Sequence, residues 1–244
     1  MVHVRGLEKR FEENEVQVLK DISFSVPGTG SLAIVGPSGC GKTTLLYILA
    51  GLIRPSAGSV TVHGREVRAP SMRTSFILQD FGLLPWRTVG QNVCLGMKVQ
   101  GWDKVSQRTT SERILAELGL LEYRDRYPGS LSGGEKQRIA IGRALATDPE
   151  LLLMDEPFSS LDALTREMLQ NQLMALWKNK GLTTILVTHS VEEAVFLGSS
   201  ILVLSKRPAS IKGIVPNPGA GRIEFREEAG FHETCKRVRR LIEN

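Results

Sequence analysis

Eight consecutive residues constrain this chain more than anything else in it: Gly36-Pro37-Ser38-Gly39-Cys40-Gly41-Lys42-Thr43. They follow a short apolar run, Ser31 to Val35, and they open a stretch, Thr43 to Leu52, that reads as a helix ending near Gly51 and Pro55. The spacing is G-x-x-x-x-G-K-[ST], set between a strand and a helix. Gly36, Gly39 and Gly41 let the backbone curl with its N–H groups inward. Those groups, with the positive end of the helix, hold a polyphosphate. Lys42 is the one cation of the loop and reaches between two phosphates; the Thr43 hydroxyl suits Mg²⁺, and Thr44 follows it on the helix.

A second short run supplies the acids such a cradle needs. Residues 151–156 read LLLMDE, an apolar strand ending in two carboxylates. A strand buried on both faces delivers its terminal side chains to the carboxyl edge of the sheet, where open α/β folds bind ligands. Asp155 then suits the Mg²⁺ shell. Glu156, one residue further, is placed to polarise an attacking water as general base. A third run, LSGGEKQR at 131–138, reads as a second helix start: Ser132 is the N-cap, and Gly133 and Gly134 leave room for a bulky anion.

Between these motifs, strands and helices alternate. Val16, Val18, Ile22, Phe24 and Val26 alternate with polar residues as in a strand pair, SVTVHG reads as a strand and turn, and TSFIL (74–78) as a strand ending at Gln79. From about Thr88 to Leu131 helical patterns dominate, and further helices are expected from Gly133 and over Leu164 to Asn179, with a strand at Thr183 to Thr188. The pattern predicts an α/β fold with a largely parallel sheet, an N-terminal antiparallel β region and an inserted α-helical subdomain. One domain is expected: a core of about 1–87 and 150–205, helices over about 88–149, and a short tail, 206–244.

Composition excludes several classes. Of 244 residues 41% are hydrophobic and 23% charged, as in a folded globular protein. No apolar run approaches the roughly 18 residues of a membrane span, and the N-terminus has no signal-peptide pattern, so a cytosolic chain is expected. Cys40, Cys94 and Cys235 have neither metal nor disulfide spacing. The net charge of +5 resides mostly beyond Ser205, where nine Lys/Arg face five Asp/Glu. That bias suits an anionic surface or a solvated face. With 6% aromatics and no basic–aromatic alternation, no nucleic-acid partner is expected.

Taken as a set, the residues resemble the ATP-binding subunits of ABC transporters. GPSGCGKT is similar to the Walker A motif of that family, LSGGEKQR to its signature and LLLMDE to its Walker B motif. Gln79 sits at the position of the Q-loop glutamine, Ser160-Leu161-Asp162 resemble the D-loop, and His189 in VTHS resembles the switch histidine. Phe11 occupies the place of the aromatic that stacks on adenine, although Glu12 to Glu15 blur the register. FGLLPWRTVGQNV and HSVEEAVFL resemble import ATPases of the nitrate, sulfonate and taurine group; Ser190 departs from the Asp that often follows the histidine. The resemblance implies a MgATP-hydrolysing subunit at the cytoplasmic face of a membrane. It also implies an ATP-dependent head-to-tail homodimer in which Ser132, Gly133, Gly134 and Asp162 complete the partner's site. Gln79 would serve the metal or the water, and His189 the γ-phosphate. Permease subunits and a solute-binding protein are the implied partners, Leu83 to Trp86 being the expected permease contact. The competing class, a soluble ABC-type ATPase acting on ribosomes or DNA, calls for a long coiled coil or two cassettes, and neither pattern is present. A GTPase needs a guanine-reading N-K-x-D, which KNKG at 178–181 does not supply.

Overall fold

The computed structural model describes residues 1–12 and 15–243, the side chains at 176 and 178–180 excepted. Two sheets carry the fold. The first is antiparallel: β1 (Val2–Phe11) pairs with β2 (Val16–Val26) on one side and with β4 (Ala57–Val62) on the other, and the short β5 (Arg65–Glu66) closes the edge. The alternation over 16–26 therefore belongs to one long strand, not to a strand pair. Its pairing with β1 slips register at three places, which breaks the period-two pattern and imitates a turn. Residues 13 and 14, which bear on the register of Phe11, lie outside the described residues. At Gly58 (φ +82) any Cβ would stand 2.3 Å from the Gly6 carbonyl oxygen, so the close approach of β1 and β4 requires glycine.

The second sheet has six strands in the order β10 (Ile211–Pro216), β9 (Ser200–Leu204), β3 (Ser31–Val35), β8 (Thr183–Val187), β7 (Leu151–Asp155) and β6 (Thr74–Ile77). All pair parallel except β10, which returns antiparallel along β9. Every residue of β7 and β8 is buried, because both faces of this sheet are covered. One face packs with helix α1 (Lys42–Leu49) against the antiparallel sheet, around Leu32, Ile34, Leu45, Leu49, Leu153 and Ile185. The other carries α5 (Gly133–Leu145), α6 (Ala163–Lys180) and α7 (Val191–Leu197), with Leu152, Met154, Phe158, Leu173, Phe196 and Val203 between the layers.

Helices α2 (Val89–Val93), α3 (Leu95–Val99) and α4 (Lys104–Glu117) pack with one side of α5 around a separate cluster that includes Val89, Val93, Met97, Leu115 and Ile139. Residues 206–244 are not a tail laid outside the fold. They supply β10 and helix α8 (Ala229–Glu243), which buries Phe231, Cys235 and Val238 against the main core and leaves its cationic side chains to solvent. The excess positive charge beyond Ser205 thus includes the outer face of an amphipathic helix. Among the described residues no helix is long and apolar enough to cross a membrane.

Candidate functional site

The parallel strands β3, β7 and β8 end side by side, and the site is built where they end. Strand β3 runs directly into the glycine-rich turn, which runs into α1 with Gly41 as its N-cap. Gly41 has φ +124, and a Cβ there would lie 2.7 Å from Val18 of β2, so the turn needs glycine both for its conformation and for its packing. Lys42 is buried and folds back across the turn, its Nζ donating to the carbonyl oxygens of Gly36 (2.9 Å) and Pro37 (3.0 Å). It is not the only cation on the loop. Arg207, in the β9–β10 connection, donates from Nη2 to the Gly39 carbonyl at 2.7 Å. That connection is clasped at its base by Ser205 and Ser210 and joined to β2 through the Ala209 backbone. The sequence distance from Gly39 to Arg207 hides this contact; only the β9–β3 pairing brings it into view.

Strand β7 delivers the two acids. Asp155 is buried, and burial raises its carboxyl above the usual range, with a hydrogen bond from Thr43 pulling the other way. Glu156 has left the strand: its φ is +47, and its N–H donates to Val187 O of β8 at 2.9 Å. This sharp turn aims the carboxylate at the end of β8, where Glu156 Oε2 stands 3.1 Å from His189 Nδ1. Thr43, Tyr47, Gln79, Asp80, Asp155, Glu156, Ser159, Ser160 and His189 together line an open cleft of about 870 Å³. Five sequence candidates from four chain segments therefore meet in one place. Tyr47 was not among them; its position four residues after Thr43 on α1, hence on the same face, is the signal that could have found it.

Other candidates lie apart from this cleft. Phe11 sits at the end of β1, partly exposed, with Lys9 Nζ 4.9 Å from its ring centre. Ser132 caps α5 in a reciprocal box: the Glu135 N–H donates to its Oγ, while the Glu135 carboxylate accepts from the Ser132 N–H at 2.7 Å. Gly133 and Gly134 follow beside Leu161 and Thr165. Asp162 caps α6, accepting from the Thr165 N–H at 3.0 Å. None of these five lines the cleft of its own chain. Of the expected permease contact, Leu83 is packed between two cores, whereas Trp86 stands exposed at the rim of a second cleft of about 780 Å³ on α2 and α4, lined also by Arg87, Lys98, Lys104 and Arg124.

Among the described residues there is no group of three or more His, Cys, Asp or Glu side chains fit to hold a metal by themselves. A hydroxyl and a carboxylate in hydrogen-bond contact, Thr43 and Asp155, are a hard-oxygen donor pair suited to Mg²⁺, which takes few protein ligands when phosphate oxygens supply the rest.

A phosphate-binding turn on a parallel strand, paired acids at the end of the next strand but one and a histidine facing them define a P-loop nucleotide hydrolase. The ABC transporter family model matches residues 19–159. The chain is 46% identical over 214 residues to the uncharacterized ABC transporter ATP-binding protein MJ0412 of Methanocaldococcus jannaschii, covering 87% of this chain and 80% of that protein. It is 43% identical over 211 residues to the taurine import ATP-binding protein TauB of Yersinia pestis, covering 86% and 82%. The solved structure of the ATP-binding cassette MJ0796, a dimer in a post-hydrolysis state bound to ADP and Pi, matches with a TM-score of 0.80 at 27% identity, covering 90% of this chain and 100% of that one. The chain belongs to the ABC transporter family, as one of its ATP-hydrolysing cassettes.

Proposed function

We propose that this protein is the energy-coupling subunit of an importer for a small anion such as nitrate, a sulfonate or taurine, and that two copies close head-to-tail on MgATP and reopen on hydrolysis. The observation that carries the reading is the gathering of Thr43, Gln79, Asp155, Glu156 and His189 around one cleft at the strand ends. The import class draws on the likeness to the taurine import ATP-binding protein. The N–H groups of the turn from Gly36 to Thr44, with Lys42, hold the triphosphate, and Phe11 covers the adenine. When bound, the magnesium ion neutralises charge on the phosphates, held by Thr43 and Asp155 and approached by Gln79. Glu156 takes a proton from the water that attacks the γ-phosphorus, and the bond from that phosphorus to the ADP oxygen breaks. His189, hydrogen-bonded to Glu156, holds the γ-phosphate and keeps the carboxylate aimed.

Ser132, Gly133, Gly134 and Asp162 serve the partner copy in this reading, which accords with their standing away from their own chain's cleft. The cleft beside Trp86 takes a permease segment, which holds the protein at the cytoplasmic face of the membrane, and a solute-binding protein delivers the cargo. Glu156→Gln is the direct test. It keeps the shape of the side chain and loses the proton acceptor, so turnover is expected to fall by about 100-fold or more, while MgATP binding persists and light scattering detects a stable dimer. Hydrolysis by monomeric Glu156→Gln at the wild-type rate would overturn the proposal.

A further inference from the structure

The backbone that follows Gln79 is strained, and a residue of another element holds it. Phe81 has φ +65, a left-handed conformation that a bulky side chain rarely adopts, and Gly82 follows at φ +55. Such a corner persists only where its surroundings impose it. Arg143, in the last turn of α5, is half-buried against this corner. Its Nη1 donates to the Gly82 carbonyl at 2.5 Å and its Nη2 to the Phe81 carbonyl at 2.7 Å. One planar guanidinium thus spans two successive carbonyls, a fork that a lysine ammonium cannot reproduce. Burial lowers the affinity of Arg143 for its proton, and the negative charge of Asp80 opposes that effect. The remainder of the loop is pinned separately: the fully buried Asn92 accepts from the Leu84 N–H and donates to the carbonyls of Leu84, Arg87 and Thr88.

Arg143 lies near the far end of the helix that Ser132 caps, 11 residues and about 16 Å away along a rigid rod. The same end is fixed to β6, the strand that leads into Gln79, since Ser75 Oγ donates to the Ala144 carbonyl at 2.8 Å.

We infer that Arg143 is a positioning residue for Gln79: it clamps the corner at Phe81–Gly82 and so ties the place of Gln79 in its own cleft to the attitude of α5. Resting on the proposed function, this deepens it. A partner's ATP that engages Ser132–Gly134 moves the other end of the same helix, so closure on one nucleotide sets Gln79 at the second.

The test compares Arg143→Ala and Arg143→Lys in the full chain by hydrogen exchange without nucleotide, and by steady-state hydrolysis with MgATP. In Arg143→Ala the amides of residues 81–83 are expected to exchange about tenfold faster, with those of β3 and β7 unchanged. Turnover is expected to fall about tenfold, with the dissociation constant for MgATP within twofold of wild type; Arg143→Lys is expected to lie between. Unchanged exchange in the loop overturns the clamp, whatever the protein hydrolyses. Faster exchange with wild-type turnover overturns the link to Gln79. If exchange behaves as expected but the wild-type chain itself neither binds nor hydrolyses MgATP, the proposed function fails and the coupling of the two cleft sites falls with it.

Discussion

At the scale of single residues, the most unusual side chain outside the cleft is Glu193. It lies buried in the first turn of α7, accepts a hydrogen bond from the Thr188 hydroxyl, and leaves its Oε1 without a partner. Burial pushes its carboxyl from 4.5 up to about 7, against the Thr188 hydrogen bond and the positive charge of Arg166, while Glu156 adds to the rise. Between those two values the folded protein holds a proton that the unfolded chain has released. The contribution of Glu193 to stability therefore falls as pH rises from about 4.5 through about 7, by at most about 3 kcal/mol. Glu193→Gln keeps the acceptor for Thr188 and cannot ionise. Urea unfolding at pH 5 and pH 8 is expected to show the wild type losing stability relative to the variant at the higher pH. A gap between the two proteins that is the same at both values would mean that Glu193 does not titrate in this window.

At the scale of elements, the C-terminal helix tests how far the fold depends on residues that carry no motif. Phe231 is buried against the core and meets Phe225 edge-on, with ring centres 5.5 Å apart. Phe231→Ala is expected to cost about 3 kcal/mol, the lower part of the range for a buried phenylalanine because the site lies at the margin of the core. Turnover per folded molecule should stay unchanged, and melting followed by circular dichroism checks the first part while an ATPase assay checks the second. In the sequence α8 was noticed only as a charge excess, although Phe231, Cys235, Val238 and Ile242 recur at i, i+4, i+7 and i+11, the spacing of one helix face that could have found it. By contrast the turn at 36–43 and the acids at 155–156 were legible at once, since phosphate chemistry demands adjacent residues. The alternation of β-branched and aliphatic runs with helical patterns gave the parallel sheet for a similar reason: strands buried on both faces are recognisable by themselves. What local pattern could not convey is contact between distant segments. Arg207 on Gly39, Arg143 on Phe81 and Gly82, and the burial of Leu83 all follow from how elements dock. Register slips in β1–β2 misled the strand reading because a bulge and a turn disturb alternation alike.

At the scale of the whole molecule, one chain carries two glycine-rich helix starts in separate places. The turn at 36–43 and the cleft beside it lie at the ends of β3, β7 and β8, whereas the Ser132 helix start does not line that cleft. In the proposed head-to-tail arrangement of two copies, each would offer its helix start to the other's triphosphate. Glu135 already occupies the Ser132 N–H, and the Ser132 backbone and hydroxyl hold its carboxylate below the usual range. In the proposed arrangement an arriving γ-phosphate would be met by the N–H groups of Gly133 and Gly134, since the Ser132 N–H and hydroxyl both donate to the Glu135 carboxylate already. Ser132→Arg tests this arrangement without touching the chain's own cradle. The bulky cation blocks the approach of the second copy and removes the side-chain half of the capping box, at a cost of about 1 kcal/mol to the helix. MgATP affinity of the monomer is expected to stay within about twofold, since Lys42 and Thr43 are untouched, while turnover falls at least tenfold and light scattering finds no ATP-dependent dimer in the Glu156→Gln background. Wild-type turnover in Ser132→Arg would mean that each cleft hydrolyses alone, and the head-to-tail arrangement would then have to be abandoned.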